Sequence, residues 1–167
     1  MRQLWAPWRI EYILGPKPED CIFCTLPSED RDRENLILHR GEKNFIIMNR
    51  YPYNSGHLMV VPYFHTSSFE GLDSHTLEEM MALVRASVDC MGEVMRPEGF
   101  NTGLNIGQAA GAGIREHLHM HIVPRWVGDS NFMAVVDEVR VIPEHLMSTY
   151  DKLYEAIGRH AQGTQGK

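Results

Sequence analysis

His117-Leu118-His119-Met120-His121-Ile122-Val123-Pro124 alternates histidine with apolar residues and then becomes wholly apolar. Successive side chains of a β-strand point to opposite faces, so one strand would place these histidines on one face and the apolar residues on the core side. A helix would scatter the histidines around its circumference, and the period of two therefore predicts a strand. Three imidazoles on one face make a poor core, which indicates a functional site.

Length, composition and charge bound the class of protein. The 167 residues are 43% hydrophobic and 23% charged, which is typical of one globular domain. A formal net charge of -6 argues against general binding to nucleic-acid phosphates. No apolar run approaches the ~20 residues of a membrane span, and the N-terminus lacks the apolar core of a signal peptide. We therefore expect a cytoplasmic protein that binds neither nucleic acid nor membranes.

The chain divides into an arm, a main domain and an extension. Residues 1–20 form the arm, whose Trp5, Trp8 and Tyr12 we expect to anchor onto the body or a second subunit, or to contact a ligand. Residues 21–128 form the main domain. Residues 129–167 form a C-terminal extension, with a helix from Pro143 to near Gly158.

The order of elements in the main domain predicts its fold class. Strands are expected at 36–39, 45–48, 57–61 and 101–106, with the histidine strand as the fifth. Apolar residues at helical spacing from Leu77 to Met95 predict an amphipathic helix, with Thr76 and Glu79 as its capping box. Strands, helix, strands and helix with short connections are typical of an α+β domain, an antiparallel sheet with packed helices.

The histidine strand could hold a metal ion or carry a nucleophile. His117 and His121 would be ~13 Å apart along a strand that rises ~3.3 Å per residue, so the three could hardly share one ion. A neutral imidazole can instead attack phosphorus when its other nitrogen is held as N–H by an acceptor. The glycine-rich loop 107–113 offers backbone N–H groups to an anion. Phosphoryl or nucleotidyl transfer is favoured, with a metal-dependent enzyme as an alternative.

The histidine stretch also resembles the signature of the histidine triad (HIT) family. Gly56-His57-Leu58-Met59-Val60-Val61-Pro62 is similar to a second strand motif of that family, and Pro124-Arg125 to the residues after its triad. The resemblance covers residues 20–128 and implies a five-stranded antiparallel sheet with packed helices, paired into a homodimer. The stretches 4–9 and 124–132 resemble the branch of diadenosine polyphosphate hydrolases and diadenosine tetraphosphate phosphorylases.

The resemblance also implies a reaction and its residues. Family members bind nucleotides and cleave at the α-phosphate through a nucleotidyl-histidine intermediate, which makes His119 the nucleophile and His117 and His121 its catalytic neighbours. The implied substrate-binding residues are His57, Asn49, Asn105, Gly111, Gly113 and Arg115, with Phe45, Ile47 and residues 22–23 as walls of a base pocket. Arg115 or backbone amides would replace the family's hydroxyl in this altered loop.

The sequence leaves two acceptors for the nucleotidyl group, water and inorganic phosphate. Water would make the enzyme a hydrolase of dinucleoside polyphosphates or nucleotide conjugates. Inorganic phosphate would make it a diadenosine tetraphosphate phosphorylase. A nucleotide-binding signalling protein with vestigial activity is a further alternative, against which the intact histidines, the glycine loop and Asn105 argue.

Cys21 and Cys24 form a C-x-x-C motif. Such a pair could be a redox centre, part of a zinc site or a coincidence. The strand and long helix that flank a thioredoxin-like redox motif are missing here, which argues against the first of these. Some HIT proteins and the related galactose-1-phosphate uridylyltransferases bind zinc through such a pair, a later histidine and the first triad histidine. The resemblance implies structural zinc on Cys21, Cys24, His65 and His117, a closed tetrahedral set, and no organic cofactor.

Overall fold

The computed structural model of the protein describes residues 20–111, 113–129, 142 and 144–162. The arm, with the expected anchoring by Trp5, Trp8 and Tyr12, and the stretch at 130–141 lie outside the described residues. Among the described residues, no helix has both the length and the apolar character needed to cross a membrane.

In the described part of the chain, five strands form one antiparallel sheet with the order β1-β2-β3-β5-β4. The strands are β1 (Ile37–Arg40), β2 (Asn44–Met48), β3 (Leu58–Pro62), β4 (Gly99–Leu104) and β5 (Met120–Arg125). The helices are α1 (Ile22–Thr25), α2 (Asp32–Asn35), α3 (Ser74–Met95) and α4 (Leu146–Gln162), and short 3-10 turns lie at Leu26–Ser28 and Gln108–Ala110. The predicted α+β class with a five-stranded antiparallel sheet is confirmed.

The core lies between the sheet and the two long helices. Every residue of β2 and β3 is buried, α3 packs against β2, β3 and β5, and α4 packs against α3 and β1. Tyr150 of α4 is 2% exposed, and its hydroxyl donates to the Ile37 carbonyl oxygen at 2.9 Å. The helix begins at Leu146 and continues through Gly158, where we expected its end, because Ile157 and Ala161 are buried on either side of that glycine.

The predicted capping box of α3 is wrong. Asp73 is the N-cap, and its Oδ1 accepts the backbone N–H and the hydroxyl of Thr76, both at 2.7 Å. The Glu79 carboxylate instead accepts backbone N–H groups of residues 42–44 at 2.7 to 2.8 Å, so it fixes the β1–β2 turn. An acceptor at the N-cap satisfies the first turn, which leaves Glu79 available for this long-range contact.

The histidine strand is shorter than predicted. β5 begins at Met120, and its pairing with β3 starts at Val60 opposite Met120. His117 and His119 therefore precede the strand, in a segment that bends at His117 and whose Leu118 N–H donates to the Thr66 carbonyl at 2.6 Å. The segment leaves the sheet because this backbone partner lies beyond the end of β3.

Candidate active site and metal site

His119 lies immediately before β5 and is 5% exposed. Its Nδ1 atom lies 2.7 Å from the carbonyl oxygen of His117. A carbonyl only accepts hydrogen bonds, so Nδ1 carries the proton and Nε2 keeps its lone pair. Burial lowers the pKa of His119 and outweighs the hydrogen bond to His117, which alone would raise it. The ring is therefore neutral near pH 7, with a nucleophilic Nε2.

His57 and His121 form a buried pair whose tautomers follow from their partners. The backbone N–H of Tyr53 donates to His57 Nδ1 at 3.1 Å, so the proton of the neutral His57 ring is on Nε2. That Nε2 lies 2.9 Å from His121 Nδ1, which must accept the hydrogen bond. Burial, followed by the charge effect of His119, lowers the pKa of His121 to about 4. The neutral His121 ring consequently carries its own proton on Nε2.

The rings of His119 and His121, the two triad histidines that do not face the cysteines, meet edge to face. The centroids of His119 and His121 are 4.8 Å apart, with an angle of 76° between the ring planes. Phe23 packs on His119 with a centroid distance of 5.0 Å, and Tyr53 packs on His121 at 5.5 Å. The site thus offers a lone pair next to an N–H donor between two aromatic rings. This combination can attack an electrophilic phosphorus and stabilise the negative charge on its oxygens.

The other expected binding residues occupy two different places. Asn49 lies beside His57, with its Nδ2 3.3 Å from His57 Nδ1 and its Oδ1 accepting the Tyr51 N–H at 2.9 Å. Asn105 is half-buried after β4. Gly111, Gly113 and Arg115 are exposed on the connection from β4 to β5. The structure therefore brings Asn49 and the histidines together, whereas the glycines and Arg115 lie on an exposed loop whose role stays a prediction.

Four expected metal ligands converge at the other end of the histidine segment. One ligand atom from each of Cys21, Cys24, His65 and His117 lies within 4.8 Å of all the others. The Nδ1 atom of His117 is 3.3 Å from Cys21 Sγ and 3.6 Å from Cys24 Sγ. Ligands at the bond lengths of zinc, about 2.0 to 2.3 Å, are separated by roughly 3.5 Å in a tetrahedron, so these spacings fit the ion.

The tautomer of His117 also suits a metal ligand. Its Nε2 lies 2.8 Å from the carbonyl oxygen of Pro62, so Nε2 carries the proton and Nδ1 presents a lone pair to the cysteines. A backbone acceptor on the second nitrogen is the usual way in which proteins orient a metal-bound imidazole. Burial and then the hydrogen bond and charge of Cys21 raise the pKa of Cys24, an effect that a bound cation would reverse.

A family model described as the HIT domain matches residues 31–127. The chain belongs to the HIT family. A Mycobacterium tuberculosis protein named AP-4-A phosphorylase is 40% identical to it over 157 residues, which cover 89% of this HIT protein and 80% of that one.

Solved structures resemble the HIT protein over most of its length. A Zn-bound histidine triad family protein from Mycobacterium smegmatis matches with a TM-score of 0.68 and 25% identity, covering 86% of this chain and 97% of that one. A hypothetical histidine triad nucleotide-binding protein from Sulfolobus tokodaii matches with a TM-score of 0.66 and 28% identity, covering 86% and 93%. Family membership and fold, both predicted from the sequence, are confirmed.

Sequence reasoning missed the backbone groups that set the tautomers of the HIT protein. The N–H of Tyr53 and the carbonyl oxygens of Pro62 and His117 each bind one imidazole nitrogen. Every residue except proline carries an N–H and every residue a C=O, so residue type gives no signal for these contacts.

Proposed function

We propose that this HIT protein is a nucleotidyltransferase that cleaves dinucleoside polyphosphates at the α-phosphate. The observation that carries the proposal is the 2.7 Å contact between His119 Nδ1 and the His117 carbonyl oxygen, which leaves Nε2 unprotonated. A buried neutral imidazole with a fixed tautomer is a competent nucleophile toward phosphorus. The neighbouring His121 supplies an N–H donor for a phosphate oxygen.

Diadenosine tetraphosphate is the substrate that we favour, and inorganic phosphate the acceptor. The relative that is 40% identical over 157 residues is named AP-4-A phosphorylase, and this name supports both choices. A phosphorylase and a hydrolase share the first half-reaction and differ only in the acceptor of the second. The role of the histidines in the first half-reaction and the identity of the acceptor in the second can therefore be tested separately.

The reaction proceeds in two displacements. The lone pair of His119 Nε2 attacks the α-phosphorus, a P–N bond forms, and the bond from phosphorus to the bridging oxygen breaks, releasing ATP. The positive charge on the nucleotidylated ring is stabilised by the His117 carbonyl, which still accepts the Nδ1 proton. A phosphate oxygen then attacks the same phosphorus, the P–N bond breaks, and ADP leaves with His119 restored. No proton needs to be donated to the ATP leaving group, whose terminal oxygens are already weakly basic.

Substrate contacts beyond the histidines belong to the same proposal. We assign the ribose to Asn49, next to His57, and the phosphate oxygens to Asn105 and the backbone N–H groups at Gly111 and Gly113, with Arg115 near the polyphosphate. Gly107 and Gly111 have φ of 84° and 80°, a conformation that glycine adopts without strain. The Gly111 N–H donates to the Gln108 carbonyl oxygen at 3.1 Å, a contact that a bound phosphate oxygen would replace. The exposure of this loop is compatible with an incoming polyphosphate.

Zinc completes the proposal as a structural ion. Cys21, Cys24, His65 and His117 would hold it, and a set of four protein ligands leaves no open position for a substrate. The ion would tie the N-terminal segment to the sheet. The Zn-bound neighbour from Mycobacterium smegmatis supports the choice of metal.

The assembly expected from the family is also a proposal. β4 is an edge strand of the sheet, and its residues 101–103 are exposed. An exposed edge can pair with the same edge of a second copy, which favours a homodimer. Sedimentation velocity of the full chain tests this: a monomer at micromolar concentration would contradict it.

Incubation of the full chain with diadenosine tetraphosphate and radiolabelled inorganic phosphate tests the acceptor. Phosphorolysis places the label in the β-phosphate of ADP and forms one ATP for each ADP. Product formation should cease without phosphate and in His119→Ala. AMP and ATP formed at the same rate without phosphate would identify a hydrolase, and the absence of turnover would overturn the enzymatic proposal.

A further inference from the structure

The position of the buried His57 depends on the segment between β2 and β3. The Tyr53 N–H donates to His57 Nδ1 at 3.1 Å, and the His57 N–H donates to the Asn54 carbonyl at 3.2 Å. The ring and the backbone of His57 are therefore both tied to residues 53–54. Asn49 Nδ2 also lies near this nitrogen, at 3.3 Å. A displacement of this short segment would remove the shorter of the two contacts that keep the His57 proton on Nε2, and would weaken the hydrogen bond to His121 with it.

Asn54 in turn connects this segment to the chain that follows β5. Its Nδ2 donates to the Pro124 carbonyl oxygen at 3.1 Å and to Asp129 Oδ2 at 2.8 Å. Its Oδ1 accepts the Ser55 N–H at 3.0 Å. Both ends of the Asn54 amide are thus engaged, and its two donors both reach across to the end of β5.

Asp129 is a carboxylate in an unusually enclosed place for its type. Its side chain is 9% exposed, and it accepts two hydrogen bonds from Arg125, at 2.6 Å from Nε and 2.8 Å from Nη2. The Trp126 N–H donates to its Oδ2 at 3.1 Å. The two-point pairing with the planar guanidinium fixes the orientation of the carboxylate, so the oxygen that meets Asn54 is held in place.

We propose that Asp129 is a positioning residue for the transfer reaction, which it serves through Asn54. Fixing the Asn54 amide fixes the backbone at Tyr53, whose N–H sets the tautomer of His57. His57 then keeps the Nε2 proton of His121 directed at the substrate. This role rests on the proposed function, since it concerns the same site, and it assigns to the turn after β5 a part in catalysis without any contact with the nucleotide.

The substitution Asp129→Asn tests this role in the full-length, zinc-loaded protein. One carboxylate oxygen becomes an NH2 group, so Arg125 faces a donor where it had an acceptor in either orientation of the new amide, and the charge that oriented the side chain is lost. With the NH2 group at the Oδ2 position, Asn54 faces a donor as well. We expect kcat with diadenosine tetraphosphate and phosphate to fall about 10-fold while KM changes less than about 2-fold, because geometry at the reacting atoms is lost and substrate contacts are kept. The imidazole 15N signals of His57 should lose the pattern of a single Nε2–H tautomer.

Two further variants give the test its specificity. Asn54→Ala should reproduce the loss of kcat and the change in the 15N signals. The double variant with Asn54→Ala and Asp129→Asn should have a kcat no lower than that of the more damaging single variant, because both substitutions break the same chain of contacts. Glu98→Gln is the matched control. Glu98 Oε2 accepts the Val127 N–H at 2.6 Å, so its substitution perturbs the same turn without removing the contact between Asn54 and Asp129. Its kcat should stay near the wild-type value.

Unchanged kcat and unchanged His57 signals in Asp129→Asn would overturn the inference, as would additive effects in the double variant. If Asp129→Asn does not fold, Asn54→Ala carries the same comparison. The 15N signals do not depend on turnover. Failure of the wild-type chain to act on the dinucleotide would therefore contradict the proposed function alone, and the tautomer of His57 would still decide this inference.

Discussion

His117 and His119 are linked by a hydrogen bond from His119 Nδ1 to the His117 carbonyl at 2.7 Å, while the ring of His117 faces the two cysteines. One residue thus belongs to the candidate metal site through its side chain and contacts the proposed nucleophile through its backbone. Nδ1 and the carbonyl oxygen of His117 therefore connect the candidate metal site with the proposed transfer site.

Removal of the metal should lower both stability and activity. Cys24→Ser breaks the ligand set, and the loss of a few kcal/mol of binding free energy corresponds to a drop in Tm of roughly 10 °C for a domain of this size. Turnover should fall as well, because the His117 carbonyl loses its anchor. Metal analysis and thermal unfolding of the two proteins check this.

Cys90 provides the matched control for that experiment. It is a buried thiol in the core that has no part in the metal cluster. Cys90→Ala should keep one zinc per chain. Purified wild-type protein that contains no zinc, with Cys21 and Cys24 both reacting freely with a thiol reagent, would contradict the metal assignment.

The pH dependence of kcat/KM should show an acid limb below the ordinary histidine pKa. Burial lowers the pKa of His119 and lowers that of His121 to about 4, so both rings are neutral at pH 7. As the pH falls, protonation of His119 Nε2 removes the nucleophilic lone pair. The rate should therefore be flat from pH 8 to pH 7 and decline only below about 6.5. A midpoint at or above 6.5 in the free enzyme would show that the histidines are not held neutral.

Glu79 should stabilise the fold in its ionised form. Burial opposes its ionisation, but hydrogen bonds from the Asn44 side chain and from the backbone N–H groups of residues 42–44 outweigh burial and lower its pKa. A pKa below that of the unfolded chain means that the stabilisation is complete above about pH 4.5 and is lost as the pH falls through the folded value. At pH 7, Glu79→Gln should cost about 1–2 kcal/mol of unfolding free energy.

Urea unfolding at pH 7 and at acidic pH measures this difference, with Glu78→Gln as the control. Glu78 is the exposed neighbour of Glu79 on the same helix. The gap between Glu79→Gln and the wild type should shrink in acid, where the wild-type carboxyl is neutral too. A gap that is constant with pH, or equal to that of the Glu78 variant, would contradict this role.

The alternation of histidines predicted a longer strand than the structure shows, and the roles assigned to these histidines stay predictions. Periodicity records which way side chains face, and the rings of His119 and His121 do lie against each other, with centroids 4.8 Å apart. It does not record which backbone groups pair, and the partners of this segment are Pro62 and Thr66 instead of a continued β-ladder. The capping box failed for the related reason that a local pattern cannot show that the turn at residues 42–44 needs the Glu79 carboxylate.

Long-range groupings were accessible only where a family resemblance supplied them. Cys21 and His117 are 96 positions apart, and no spacing rule would join them. The family resemblance predicted that they meet, and in the structure the four candidate ligand atoms lie within 4.8 Å of one another. The chain of contacts from Asp129 through Asn54 to His57 had no such guide. Its first link joins two side chains 75 positions apart, and its other links run through backbone groups that carry no signal of residue type.

Trapping the covalent intermediate tests the central assignment most directly. The full chain is mixed with labelled diadenosine tetraphosphate without phosphate, quenched in alkali, where a phosphoramidate survives, and digested for peptide mass spectrometry. The account predicts one adenylyl group on His119, absent from His119→Ala and discharged to ADP when phosphate is added before the quench. An adenylyl group on another residue, or steady turnover with none on His119, would contradict it.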